Sequence, residues 1–251
     1  MIPAPAFNQN LLINKLRRST ALSAEEGEAL NALPWRSQHF AREKPIVLAG
    51  QRPTRCFLVM DGFVASSKVT NDGIEGVTAI HIAGDMPDLF GLYLDIMDTD
   101  MRAASPCTVA FVDHSAVKEL CNTYPRLNGA LWRLTLVDAA VLREWVINVG
   151  HRPARARLAH FFCEVMLRLG EVGRASNLTC RLPFTQLALG QIAGMSTVHL
   201  NRSLQDLRSA KLIRFDGQTL EILDFDGLAT EADFQSDYLH LPASPGVRNL
   251  S

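Results

Sequence analysis

The segment from Phe184 to Asp224 constrains the fold more than any other, because it reads as two short helices joined by a tight turn and followed by a hairpin. Thr185 can cap a first helix running to Ala193, in which Leu189, Ile192 and Ala193 recur at helical spacing. Gly194 breaks it, since glycine tolerates the left-handed backbone of a tight turn, and Gly190 lets a second helix cross closely. Ser196 can cap that second helix, Thr197 to Ser209, whose Leu200, Leu204 and Leu207 recur at intervals of four and three and so face inward. Its outward face is then Thr197, Val198, Asn201, Arg202, Gln205 and Arg208, with His199 to the side. Leu212 to Phe215 and Thr219 to Leu223 flank Asp216-Gly217, a strong hairpin signal. The whole reads as a winged helix-turn-helix, a shape whose second helix enters the major groove of double-stranded DNA.

Two amphipathic helices and a hairpin also suit a purely structural subdomain. Charge favours the nucleic-acid reading. Between His151 and Phe215 there are ten Arg or Lys against three acids, whereas from Asp216 onward seven acids face Arg248 alone, in a chain of net charge −1. Such segregation is the footprint that phosphate binding needs.

Elsewhere the sequence excludes more than it asserts. The chain of 251 residues is long enough for two modest cores. No apolar run approaches the ~18 residues that span a bilayer, and the Met1–Pro5 stretch lacks the regions of a signal peptide, so a cytoplasmic protein without membrane contact is expected. The cysteines (56, 107, 121, 163 and 180) are scattered without metal-ligand spacing; ordinary thiols, no metal and no cofactor are expected. There is no nucleophile elbow, P-loop or dinucleotide fingerprint, and His81 with Asp85 reads as strand and turn, not as an acid–base pair.

From about Phe40 to Val112 short β-rich runs alternate with turns at Asp61-Gly62, Asn71-Asp72-Gly73 and Ala83-Gly84-Asp85, the pattern of an antiparallel roll or barrel. Helices precede it near Asn10–Leu16 and at Ala24–Leu33, the latter capped by Ser23. A helix roughly 35 Å long at 1.5 Å per residue follows from about Arg126 to Val149. It is apolar on both sides. Leu127, Leu131, Leu134, Val141 and Trp145 form a four–three repeat interrupted by Asp138 and suggest a seam with a twin helix, leaving Trp132, Leu136, Ala139 and Leu142 to pack on the roll. Gly150 and Pro153 make a hinge. The expected class is α+β, with a roll at 1–123, the helix and hinge at 124–150, a winged helix at 151–241 and a flexible tail at 242–251.

This order of parts, with the runs Arg155–Phe162, Leu182–Gln186 and Gly194–Arg202, closely resembles the Crp/Fnr family of bacterial transcription regulators. The resemblance implies a jelly roll of the cyclic-nucleotide-binding type serving as sensor, a homodimer on a two-fold symmetric operator, and contact with RNA polymerase. It also implies that Thr197, Val198, His199, Asn201, Arg202 and Gln205 read bases, while Thr185, Gln186, Ser196 and Arg208 grip phosphates. The sensor departs from the family pattern. Where the cyclic-AMP receptor carries Gly-Glu-Leu and a later Arg-Ser pair, this chain has Gly84-Asp85, then Asp88-Leu89 and a lone Arg102, so a signal other than cyclic AMP, carried by an unidentified small molecule, is expected. A constitutive regulator whose roll is only a dimerisation scaffold is the first alternative, and a cyclic-nucleotide-responsive regulator the second.

Overall fold

The computed structural model describes residues 10–241; the tail expected at 242–251 lies outside them. Two helices, α1 (Asn10–Ser19) and α2 (Ala24–Asn31), lead into seven strands: β1 (Arg36–Phe40), β2 (Pro45–Val47), β3 (Arg55–Asp61), β4 (Val64–Val69), β5 (Glu75–His81), β6 (Asp100–Ala103) and β7 (Cys107–Asp113). They form two antiparallel sheets, ordered β1-β7-β3 and β2-β6-β4-β5. The run Cys56–Met60 is apolar at every position because its sheet is covered on both faces. Phe57 and Val59 point at the second sheet, sharing a core with its Val64 and Met101, with Met97 and with Phe111 on neighbouring β7, while Cys56, Leu58 and Met60 point at the helices. Gly62 turns β3 into β4 with φ +80°, and a Cβ there would lie 2.4 Å from the carbonyl oxygen of Pro106.

Two further helices follow, α3 (His114–Thr123) and the 27-residue α4 (Pro125–His151), which starts on a proline in its first turn. Here the structure corrects the expected seam. Leu127, Leu131 and Leu134 are buried in the chain's own core with Leu12, Leu16, Leu58 and Val112, because α1 and the β1-β7-β3 sheet cover that side. Trp145 faces α5 (Ala154–Glu171), donating its indole N–H to Glu164 at 2.9 Å, and Val141 lines an internal cavity. The side assigned to the roll is the uncovered one. Trp132 (56% exposed), Leu136, Leu142 and Val146 (67%) form an apolar stripe along α4.

Past Arg152-Pro153, α5 packs on the roll and on the C-terminal elements: β8 (Ala175–Ser176), β9 (Thr179–Arg181), α6 (Gln186–Ile192), α7 (Thr197–Ser209), β10 (Ile213–Phe215), β11 (Thr219–Ile222) and α8 (Phe225–Ala232). One continuous core joins Phe161, Phe162, Leu200, Leu204 and Leu220 with Phe63 and Ile82 of the roll, and the rings of Phe63 and Phe184 lie 4.8 Å apart. The residues after α8 return to α5: Tyr238 donates its hydroxyl to Glu164 at 2.8 Å and stacks on the His160 ring. Burial and nearby Arg152 push that histidine down to about 3, so it stays neutral.

Candidate DNA-binding interface

Local chemistry sets the geometry of α6 and α7. The Thr185 hydroxyl accepts from Ala188 N–H at 3.1 Å and the Ser196 hydroxyl from His199 N–H at 3.3 Å, so each helix starts on a satisfied cap. The turn between them needs glycine twice. Gly194 holds φ +62°, and a Cβ on Gly190 would stand 2.9 Å from the Met195 carbonyl oxygen. Gly190→Ala is therefore expected to cost about 1–3 kcal/mol, since neither backbone segment can yield. The check is chemical denaturation beside DNA titration, and wild-type stability would mean that the turn relaxes freely.

Leu200, Leu204 and Leu207 fix α7 in the core and leave Val198 (74% exposed), His199, Asn201, Arg202 and Gln205 facing solvent, with Thr197 half-buried at the start. The Asn201 amide donates to the Gln186 side-chain oxygen at 3.3 Å, tying the two helices together across the exposed surface. Arg208, on the same helix, is held by the Phe215 carbonyl and so braces α7 against the wing. Arg157 performs a similar task at the hinge. Its guanidinium donates to Gly194 O at 2.7 Å and to Val149 O at 3.0 Å, clipping the end of α4 to the turn between α6 and α7.

The basic excess of this region is thinner in space than in sequence. Arg152 pairs with Glu144, Arg155 with Glu231, Arg168 with Glu164 and Asp85, Arg174 with Asp61 and Arg214 with Glu221. Arg157, Arg181, Arg202, Arg208 and Lys211 have no acidic partner among the described residues; Arg157 and Arg208 are held by carbonyl oxygens, which leaves Arg202 as the uncommitted cation on the outward face of α7.

In the roll, the stretch matching the effector cassette is occupied by structural work. Gly84 takes φ +90°. Asp85 is buried, accepting Ile82 N–H at 2.8 Å while ion-pairing with Lys15 and, at 3.0 Å, with Arg168. Asp88 accepts Phe57 N–H at 3.0 Å, and burial pushes its carboxyl up to about 8. Leu89 is core, and Arg102 is engaged by Glu75 at 3.0 Å. Among the described residues no cluster of three or more His, Cys, Asp or Glu converges as a metal ion would need, and no helix is long and apolar enough to cross a membrane.

Comparison with known proteins agrees with this architecture. Residues 156–231 match the Crp-like helix-turn-helix domain and residues 37–124 the cyclic nucleotide-binding domain. Electron transport regulator A of Shewanella oneidensis is 24% identical over 203 residues, 81% of each chain. The fumarate and nitrate reduction regulatory protein of Vibrio cholerae is 22% identical over 216 residues, 86% of each chain. Among solved structures, FixK2 from Bradyrhizobium japonicum superposes with a TM-score of 0.71 at 21% identity, covering 79% of this chain and 97% of that one. With a roll and a winged helix matched in the same order and across most of their lengths, this chain belongs to the Crp/Fnr family of DNA-binding transcription regulators.

Proposed function

We propose that two copies of this chain pair along the exposed stripe of α4 and place their α7 helices in the major groove at the two half-sites of a symmetric operator. The observation that carries the reading is Arg202, a cation without an acidic partner on the solvent face of a helix whose opposite face is locked in the core. In this reading Arg202 takes a guanine edge, Asn201 an adenine and Val198 a thymine methyl, while Thr197, His199 and Gln205 complete the base-reading surface. Thr185, Gln186 and Ser196 meet phosphates at the helix starts, and Arg208 supports the wing from the same side. The half-sites then lie about 34 Å apart. RNA polymerase is the further partner that the family relationship implies.

The roll responds to something other than cyclic AMP. A cyclic phosphate in the cassette would meet the buried carboxyl of Asp88, with Arg102 already committed to Glu75 and the space between the sheets filled by Phe57, Met97, Met101 and Phe111. Addition of cyclic AMP is expected to leave operator affinity unchanged.

Selection from randomised duplexes at about 50 and 200 mM salt tests the DNA reading. A palindromic consensus whose affinity falls steeply with salt is expected; unselective binding under both conditions would refute it. Pairing is tested separately by Val146→Glu, which puts a charge into the α4 stripe and is expected to yield monomers in sedimentation equilibrium while the fold is retained.

A further inference from the structure

On the side of α4 turned away from its exposed stripe, a cavity of about 320 Å3 opens between α1, the middle of α4, the end of α5 and the C-terminal turn. That volume lies within the range of small-molecule sites. Its walls are largely apolar: Leu11, Leu134, Val137, Val141, Val172 and Leu239. Charged groups line it from every surrounding element, Lys15 from α1, Asp85 from the roll, Arg133 and Asp138 from α4, and Arg168 and Glu171 from α5, and His240 of the C-terminal turn lines it too. Most have settled partners. Asp85 holds Lys15 and Arg168, and Arg168 also holds Glu164 at 2.9 Å. Arg133 and Asp138 differ, since neither side chain makes a hydrogen bond or ion pair with another described residue although both line the cavity.

We propose that this cavity binds a small amphipathic carboxylate, its apolar body against α4 and Val172 and its carboxylate held by Arg133 and Asp138. A bare hydrocarbon would leave both polar groups unsatisfied. An amine would face Arg133, the cavity cation that no carboxylate among the described residues neutralises. Asp138 can serve an anion only as a donor, which requires its proton. Burial, assisted by the charge of Asp85 and opposed by Lys15 and Arg168, raises its carboxyl to about 7. Ligand binding is therefore linked to protonation, and affinity falls as pH rises through neutrality, by about tenfold from pH 6 to pH 8. The walls come from the roll side and from α5 together, so occupancy favours one arrangement of the two parts. The site itself stands independently of the operator reading.

The test uses the full chain titrated calorimetrically with octanoate, octanamide and octylamine at pH 6 and pH 8. Octanoate is expected to bind once per chain, about tenfold more tightly at the lower pH. Arg133→Ala is expected to weaken it at least about tenfold, the loss of one charge-assisted contact. Asp138→Asn is expected to flatten the pH dependence. Val141→Phe, which fills the cavity, is expected to abolish binding, with its thermal transition checked to confirm folding. No heat with octanoate, equal binding of octylamine, or octanoate affinity indifferent to both Arg133→Ala and Val141→Phe would overturn the assignment.

Discussion

Arg202→Ala is expected to erase sequence selection while leaving non-specific DNA binding and the fold nearly intact. A bidentate arginine–guanine contact contributes about 1–3 kcal/mol of discrimination. In the proposed homodimer the contact is made twice, so operator affinity should drop by about 2–6 kcal/mol, roughly 30-fold to 10⁴-fold. The side chain is exposed and takes no part in the core, so stability should stay within about 0.5 kcal/mol of wild type. Titration of the selected duplex and of a scrambled one, with denaturation as control, separates the two effects. Equal loss on both duplexes would make Arg202 a phosphate contact. No loss on either would remove α7 from the reading surface.

The helix-turn-helix was legible in the sequence because its determinants are local. Thr185 and Ser196 cap the helices that follow them, Gly190 and Gly194 allow a turn that other residues obstruct, and the spacing of Leu200, Leu204 and Leu207 leaves one inward face. The long helix was harder, because α4 is apolar on two sides and periodicity finds two stripes without ranking them. The choice is made from a distance, by α1 and the β1-β7-β3 sheet, which claim Leu127, Leu131 and Leu134 and leave Trp132, Leu136 and Val146 uncovered. The interruption at Asp138 was the local sign of this arrangement, since an acid in a helix–helix seam is costly and here lines the internal cavity instead. Charge counting overshot for a related reason: a sequence shows Arg155 and Arg214 as cations but not Glu231 and Glu221 beside them. Three α-helices, α3, α5 and α8, escaped the reading of the sequence. In α3 the apolar signal is only Val117 and Leu120 after Asp113, and in α8 the clue was Asp224, which caps Gly227 N–H at 2.9 Å.

Asp85→Ala is expected to cause a large loss of stability, because this carboxylate joins three parts of the molecule. It bonds the Ile82 amide within the roll, Lys15 on α1 and Arg168 on α5, and Arg168 in turn reaches Ile80 O at 3.0 Å and Glu164. Removing one partner from a buried ion pair costs about 3–5 kcal/mol, because the remaining charge stays desolvated. Arg168 keeps Glu164, which points to the lower end, about 3 kcal/mol or a fall in melting temperature of about 6–12 °C for a chain of this size. The pH dependence has a definite sign. Burial alone would raise the Asp85 carboxyl, but Lys15 and Arg168 outweigh it and hold the group well below the usual carboxylate range. A depressed native pKa stabilises the protein above the unfolded value, near ~3.9, and the benefit is lost as pH falls below it. The part of the gap between wild type and Asp85→Ala that comes from the Asp85 carboxylate itself should thus be constant from about pH 5 to pH 8 and narrow in acid. Thermal unfolding at several pH values decides the matter, and a gap that persists undiminished at about pH 2 would assign the effect to the hydrogen bond with Ile82 and not to the bridge between roll and α5. The same variant removes the acid that helps to raise Asp138, so its Asp138 carboxyl should titrate lower and the pH window for carboxylate binding should move with it.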